Sequence, residues 1–222
     1  MSETTSTADA RTAVLASALQ LFASQGFEQT TVDQIARAAG ISRSTFFRQF
    51  GGKDDVVFAD HELLLGELRD YLLRPQPNPW AAVCEASMRA YRHFAADPEL
   101  ARRRFAIVRQ VGTLRDREIV TASRYERLFT EYLRRELPDL DPVDAVGFAA
   151  LVTATHNHVL RQLLREPRRV PASVLRRALD RALERFGVGA ASPPAEDDVV
   201  VAVFPRRMPP AELTRRLHDE LG

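Results

Sequence analysis

The sequence predicts an all-α protein, and three observations carry that expectation. Helix-opening signatures recur: Asn78 with Pro79, Asp97 with Pro98 and Asp141 with Pro142 each put a capping side chain before a proline. Proline suits that first helical position because its missing N–H would have no intrahelical partner there. Apolar residues return at helical spacing, as in Val14, Ala18, Leu21 and Phe22. Pro138 and Pro167 close the segments before them, since proline cannot continue a helix.

Taken in order, Thr7 caps a first helix that Gly26 ends, with Phe27 set for a hydrophobic contact across the turn. Thr31 and Gln34 have the spacing of a capping box and open a short helix to Ala39. Gly40, Ile41 and Ser42 form a turn, and Ser42 caps a second short helix, Arg43 to Gln49. A longer helix starts at Lys53, with Asp54 and Asp55 favouring the positive end of its dipole, and runs to about Leu73. Helices are then expected over 79–95, 98–111, 114–136, 142–165 and 172–186. After Gly187 and a Ser192-Pro193-Pro194 linker, Val199 to Phe204 has strand propensity and Pro210 to Leu221 reads as a last short helix. A lone strand must pair with its copy in another subunit or pack on the helical body. The chain thus divides into residues 1–52, a helical body over 53–187 and a strand-helix tail over 188–222.

Composition excludes several classes. With 222 residues, 45% hydrophobic and 27% charged, the chain can bury a core and is not a disordered protein. No apolar run approaches the roughly 20 residues of a membrane span. The polar stretch Met1 to Arg11 lacks a signal-peptide core, so a cytoplasmic location is expected. One cysteine, Cys84, can make no internal disulfide. The net charge of +1 neither implies nor excludes nucleic acid, and Lys53 is the only lysine among 31 basic residues.

Residues 31–50 carry the most informative pattern: two short helices joined by a tight glycine-containing turn, the spacing of a helix-turn-helix. Ile35, Ala36 and Ala39 face inward, Ile41 plugs the turn, and Phe46 and Phe50, four apart, anchor the second helix. Ala36 and Gly40 leave room where the helices cross. Arg43, Ser44, Thr45, Phe47, Arg48 and Gln49 then lie on or near the exposed side. Alone, such a pair fits DNA binding and an ordinary helical surface equally well. Residues 1–52 hold four basic side chains (Arg11, Arg37, Arg43, Arg48) against four acidic ones, with the basic groups clustered along one face.

The stretch Gln29 to Lys53, preceded by a leucine-rich helix ending in Phe22 and by Gly26-Phe27, closely resembles the tetracycline-repressor (TetR) family of bacterial regulators. The resemblance covers about residues 8 to 60; beyond it only the helical architecture is similar. It implies that Arg43 to Gln49 form a recognition helix in the major groove, and that Thr31 and Lys53 contact phosphates. A helix N-terminus presents unpaired N–H groups to a phosphate, and Lys53 adds a point charge. Arg43 and Arg48 can each pair bidentately with guanine, worth about 1–3 kcal/mol of discrimination. Phe47 departs from the family's usual tyrosine, losing one phosphate hydrogen bond, and suits an apolar contact to a thymine methyl or a sugar. Arg48 departs from the more frequent histidine or tyrosine and is a candidate replacement for the lost anchor. The resemblance also implies a homodimer, held by the helices over 142–165 and 172–186 packing against their copies.

Catalytic motifs are missing, and no cofactor is expected. His156 and His158 point to nearly opposite sides of a helix and cannot chelate a metal together. Cys84 lies on an apolar stripe and reads as a buried hydrophobe. A regulatory pocket for a small-molecule effector is expected from Phe105, Arg109, Tyr125, Phe129, Tyr132 and His156, which combine aromatic walls with polar tips, although ordinary core packing is the alternative for each. The Arg102-Arg103-Arg104 run reads as a solvated face, or as an anion site if it stands at a pocket mouth. The sequence therefore reads as a DNA-binding transcription regulator, a repressor released from double-stranded operator DNA by an effector. The alternatives are an activator or architectural protein without a ligand, and a helical enzyme.

Overall fold

The computed structural model describes residues 2–165 and 170–188, with side chains from residue 11 onward; the expected tail strand and final helix lie outside the described residues. Ten helices follow in order: α1 Ser2–Gln25, α2 Val32–Ala38, α3 Arg43–Phe50, α4 Lys53–Val57, α5 Ala59–Leu72, α6 Pro79–Ala96, α7 Pro98–Gln110, α8 Gly112–Glu136, α9 Pro142–Arg165 and α10 Ala172–Arg185. There is no strand among the described residues.

Local chemistry explains most boundaries. Thr31 Oγ1 accepts from the Gln34 N–H at 3.3 Å while Gln34 Oε1 accepts from the Thr31 N–H at 2.8 Å, a reciprocal cap. Ser42 Oγ accepts from the Thr45 N–H, Asn78 Oδ1 from that of Ala81 and Asp97 Oδ1 from that of Leu100. Gly26, at φ +86°, ends α1, and the Phe27 ring closes on Phe22 at 4.9 Å. Thr7 is no cap: α1 opens at Ser2, and nothing between those residues breaks a helix.

The expected Lys53–Leu73 helix is instead two. It breaks at Phe58 (φ −112°, ψ 11°), between α4 and α5. Val56, Val57, Phe58 and Ala59 are all buried. Four consecutive residues of one straight helix sweep most of its circumference, so a half-exposed helix cannot bury them all. The break resolves that conflict.

Two apolar cores form. The first joins α1–α4 and takes Ile107 and Val108 from α7 and Leu114 from α8. The second gathers α5, α6, α8, α9 and α10, with Phe148 edge-packed on Trp80 at 4.7 Å and on Phe186 at 5.1 Å. Helix α7 feeds both cores, since Ala101 belongs to the second. Ion pairs add ties from α4 and α5 to α7 and α8: Asp55 to Arg117, Asp60 to Arg104 and Glu62 to Arg124. Among the described residues, no helix is long and apolar enough to cross a membrane.

Candidate DNA-reading helix and ligand cavity

Helix α3 is anchored on one side only. Phe46 and Phe50 are buried at 0% and 6% exposure, their rings 5.2 Å apart, whereas Phe47 stands 42% exposed between them. Arg43, Ser44 and Arg48 are also exposed, with Thr45 and Gln49 half-buried. Arg43 is held on this surface by Asp33 of α2 at 2.5 Å and lies 5.2 Å over the Phe47 ring. Arg11 serves α3 from beneath, donating to the Gln49 carbonyl at 2.6 Å and stacking on Phe50. The sequence grouped Arg11 with a basic face; its place is at the C-terminal end of α3.

The turn before α3 depends on Gly40 at φ +68°, with the Ile41 N–H donating to the Ala36 carbonyl at 2.9 Å. A Cβ on Gly40 would meet nothing within 4 Å, so the glycine serves the backbone angle and not the space between helices. Thr31 is exposed at the start of α2, its hydroxyl engaged in the cap. Lys53 is less free than a surface lysine: its ammonium donates to the Phe27 carbonyl at 2.9 Å and sits 4.3 Å over the Phe27 ring, near Glu28.

The second candidate site is a cavity of about 410 Å³ between α5, α6, α7, α8 and α9. Phe105, Tyr125, Phe129 and His156, four of the six residues named from the sequence, line it. Arg109 and Tyr132 do not. Arg109 is on the exposed side of α7, 5.8 Å from the Phe105 ring, and its carbonyl accepts from Arg115. Tyr132 continues the Tyr125–Phe129 stripe of α8, but two turns carry it about 10 Å beyond Tyr125, to a place beside Arg135.

The lining also includes His61 and Thr153, which the sequence reading did not name, and Arg104, which it named only within the Arg102–Arg104 run. The Arg102–Arg104 run is not one patch. Arg102 donates to the Leu163 carbonyl near the end of α9, Arg103 pairs with Glu99 on the surface, and Arg104 turns inward to Asp60. Ala101, Arg104 and Val108 are all buried on one stripe of α7, and an arginine at a core position was a readable signal. Thr153 likewise interrupts the Ala149–His156 stripe with a hydroxyl. His61 gave no signal, because its direction depends on the break at Phe58.

Electrostatics inside the cavity follow from burial. The Asp60 carboxyl, although burial raises it, is held well below the usual range by the Arg104 guanidinium. Burial, with Arg104 nearby, pushes His61 down to about 3, and burial pushes His156 down to about 4. Both rings are therefore neutral at pH 7. The His61 Nδ1 shares a hydrogen bond with the Tyr125 hydroxyl at 3.0 Å, and burial pushes that hydroxyl up, so it stays protonated. His156 Nδ1 lies 3.2 Å from the Ser87 carbonyl and 3.3 Å from the Ser87 hydroxyl; a carbonyl can only accept, so the tautomer that bonds it carries the proton on Nδ1. His158 is exposed and bonded to Gln162, away from His156. Among the described residues, no cluster of three or more histidine, cysteine or acidic side chains could hold a metal.

Comparison with known proteins agrees with this geometry. Residues 14–59 match the model described as bacterial regulatory proteins, tetR family. The HTH-type transcriptional regulator TcmR of Streptomyces glaucescens is 47% identical over 47 residues, 21% of each chain. The chain spans between 20% and 28% of the length of the first curated relatives it matches. Among solved structures, the SmeT–triclosan complex aligns with a TM-score of 0.59 at 20% identity, covering 89% of this chain and 99% of that one. Thermus thermophilus FadR, a transcriptional repressor in complex with lauroyl-CoA, aligns with a TM-score of 0.52 at 25% identity, covering 83% and 99%. The named relatives are transcriptional regulators and not enzymes.

Proposed function

We propose that the chain, whose residues 14–59 match the model of the tetR family of bacterial regulatory proteins, is a cytoplasmic, homodimeric, sequence-specific repressor released from its operator by a small molecule. The observation that carries the proposal is the one-sided anchoring of α3: Phe46 and Phe50 bind it to the core while Arg43, Ser44, Phe47 and Arg48 face out. Those four residues, with Thr45 and Gln49, are the proposed readers of the major groove. Arg43 must leave Asp33 to reach a base, which costs little because both partners are exposed. Thr31 at the start of α2 and Lys53 at that of α4 are the proposed phosphate contacts. Two carbonyls of the α1–α2 turn take part of the Lys53 hydrogen-bonding capacity, so it braces that turn as well.

One reading helix covers only a few base pairs, so operator specificity calls for two copies. Helix α9 keeps a face for that purpose: Val143, 75% exposed, and Val146 are solvent-facing, and Gly147, Ala150 and Ala154 continue the stripe. The cavity is the proposed effector site, with Phe105, Tyr125, Phe129 and His156 in its wall; Arg109 and Tyr132 are proposed no further for that role. A ligand there touches Phe58 and His61, at the α4–α5 break through which α3 connects to the body. An effector that binds better when the reading helices are wrongly spaced draws the population from the DNA-bound form.

Selection of the purified protein on random duplexes, followed by footprinting, tests the proposal. The expected result is an inverted repeat whose half-sites lie about 34–36 Å apart or a multiple of that. Enrichment without any sequence preference overturns it.

A further inference from the structure

Charge is already balanced inside the cavity. The Arg104 guanidinium, its side chain only 8% exposed, is matched by Asp60 and lies 4.7 Å over the Phe94 ring. A ligand anion reaching Arg104 in the cavity wall would find the guanidinium already paired with Asp60, which lies outside the lining, and burying an uncompensated charge is expensive. A ligand cation would face Arg104 itself. Burial with that same positive charge keeps the His61 ring unprotonated, and burial alone does so for His156, so the inner wall offers a cation no negative partner. Glu118, Glu126 and Arg161 also belong to the lining, but they are half-buried or exposed, where water screens them.

Two hydrogen-bonding groups stand on one face of α9. Thr153 and His156 are three residues apart, so their side chains are neighbours. Thr153 is 7% exposed, and its Oγ1 is buried without a hydrogen-bond partner, which a native interior rarely tolerates. His156 gives its Nδ1 proton to the Ser87 carbonyl, which leaves Nε2 as an acceptor. Phe94, Phe105 and Phe129 supply apolar wall around them.

We infer that the cavity takes an uncharged lipophile bearing one hydroxyl group, whose proton goes to His156 Nε2 and whose oxygen accepts from Thr153 once that enclosed hydroxyl turns about χ1 toward it. This assignment deepens the effector proposal and rests on the reading of this cavity as the effector site. The volume of about 410 Å³ is at the small end of the roughly 300–1,000 Å³ usual for ligand pockets, which favours a compact molecule.

Calorimetric titration of the full chain with three probes sharing one ring system tests the inference: β-naphthol, β-naphthoate and β-naphthylmethylammonium. The neutral probe is expected to bind at least about tenfold more tightly than either charged one. Thr153→Val, which keeps the shape and removes the orphaned hydroxyl, is expected to weaken β-naphthol about 3–10-fold while raising the thermal unfolding temperature of the free protein. Asp60→Asn, which frees Arg104, is expected to raise the affinity for β-naphthoate relative to β-naphthol. Should that variant not fold, the wild-type series and Thr153→Val still decide. A charged probe binding as tightly as the neutral one, heat from none of the three at millimolar concentration, or an unchanged affinity in Thr153→Val overturns the inference. Operator binding, followed by fluorescence anisotropy in the presence of each probe, separates the two proposals. If β-naphthol binds and the DNA stays bound, the ligand class stands and the effector role falls. Release by β-naphthoate alone does the reverse.

Discussion

Single residues here do different work from what their neighbours in sequence suggest. Arg43 and Arg48 share α3, yet Arg43 is paired with Asp33 while Arg48 stands exposed. Alanine at either position is expected to cost about 1–3 kcal/mol on the selected operator and to relax preference at one base pair. Equal losses on operator and random DNA in an anisotropy titration would remove both from base reading. Cys84 is buried, and burial pushes its thiol up to about 12, so the native protein should resist alkylation at pH 8 and react only on unfolding. His156 carries the pH dependence. The unfolded ring takes a proton near pH 6.5, whereas the folded one does so only near 4, so the unfolded state binds more protons in between. Stability should therefore be flat above pH 7 and fall between pH 6.5 and 4, by about 1 kcal/mol per pH unit for each buried histidine. His61, held to about 3, extends the loss further into acid. Thermal unfolding of His156→Gln across that window should show a shallower slope than wild type; parallel curves would count against the assignment.

At the scale of elements, caps and terminators were legible because they act through adjacent residues. Thr31–Gln34, Ser42, Asn78–Pro79 and Asp97–Pro98 each signalled a helix that forms at that position. The break at Phe58 was not legible from periodicity, since Asp54 to Leu72 reads as one amphipathic segment until the burial of four consecutive residues is known. The same limit applied to the cavity: Phe105 of α7, the Tyr125–Phe129 stripe of α8 and His156 of α9 announced it, but His61 joins only because α5 starts afresh after the break. Gly51 deserves separate treatment, for it ends α3 at φ +77° and a Cβ there would lie 2.9 Å from an Asp55 carboxylate oxygen. Gly51→Ala is expected to lose about 1–3 kcal/mol in chemical denaturation from backbone strain and that clash. It should also weaken operator binding more than its stability loss explains, because α3 and α4 meet at this turn.

For the whole molecule, one core holds α3 and the other gathers α5, α6, α8, α9 and α10, while α7 contributes to both and the cavity is lined from both, by Phe58 and Val108 of the first and Phe94 and Phe129 of the second. The apolar residues that α9 leaves outside these cores predict the assembly. Val143→Glu combined with Val146→Glu should convert a dimer to monomer in sedimentation at micromolar concentration and abolish operator binding, with helix content unchanged. A wild-type monomer under those conditions would sink the paired-site mechanism. The three arginine–carboxylate ties between α4–α5 and α7–α8 differ in kind. Those of Arg117 and Arg124 are partly solvated, whereas Arg104 and Asp60 are nearly enclosed. Dissolved electrolyte weakens the solvated pair of ties and barely touches the enclosed one. In brine the tie between α5 and α7 would thus outlast the other two as an ionic fastening, and its arginine forms part of the cavity's wall.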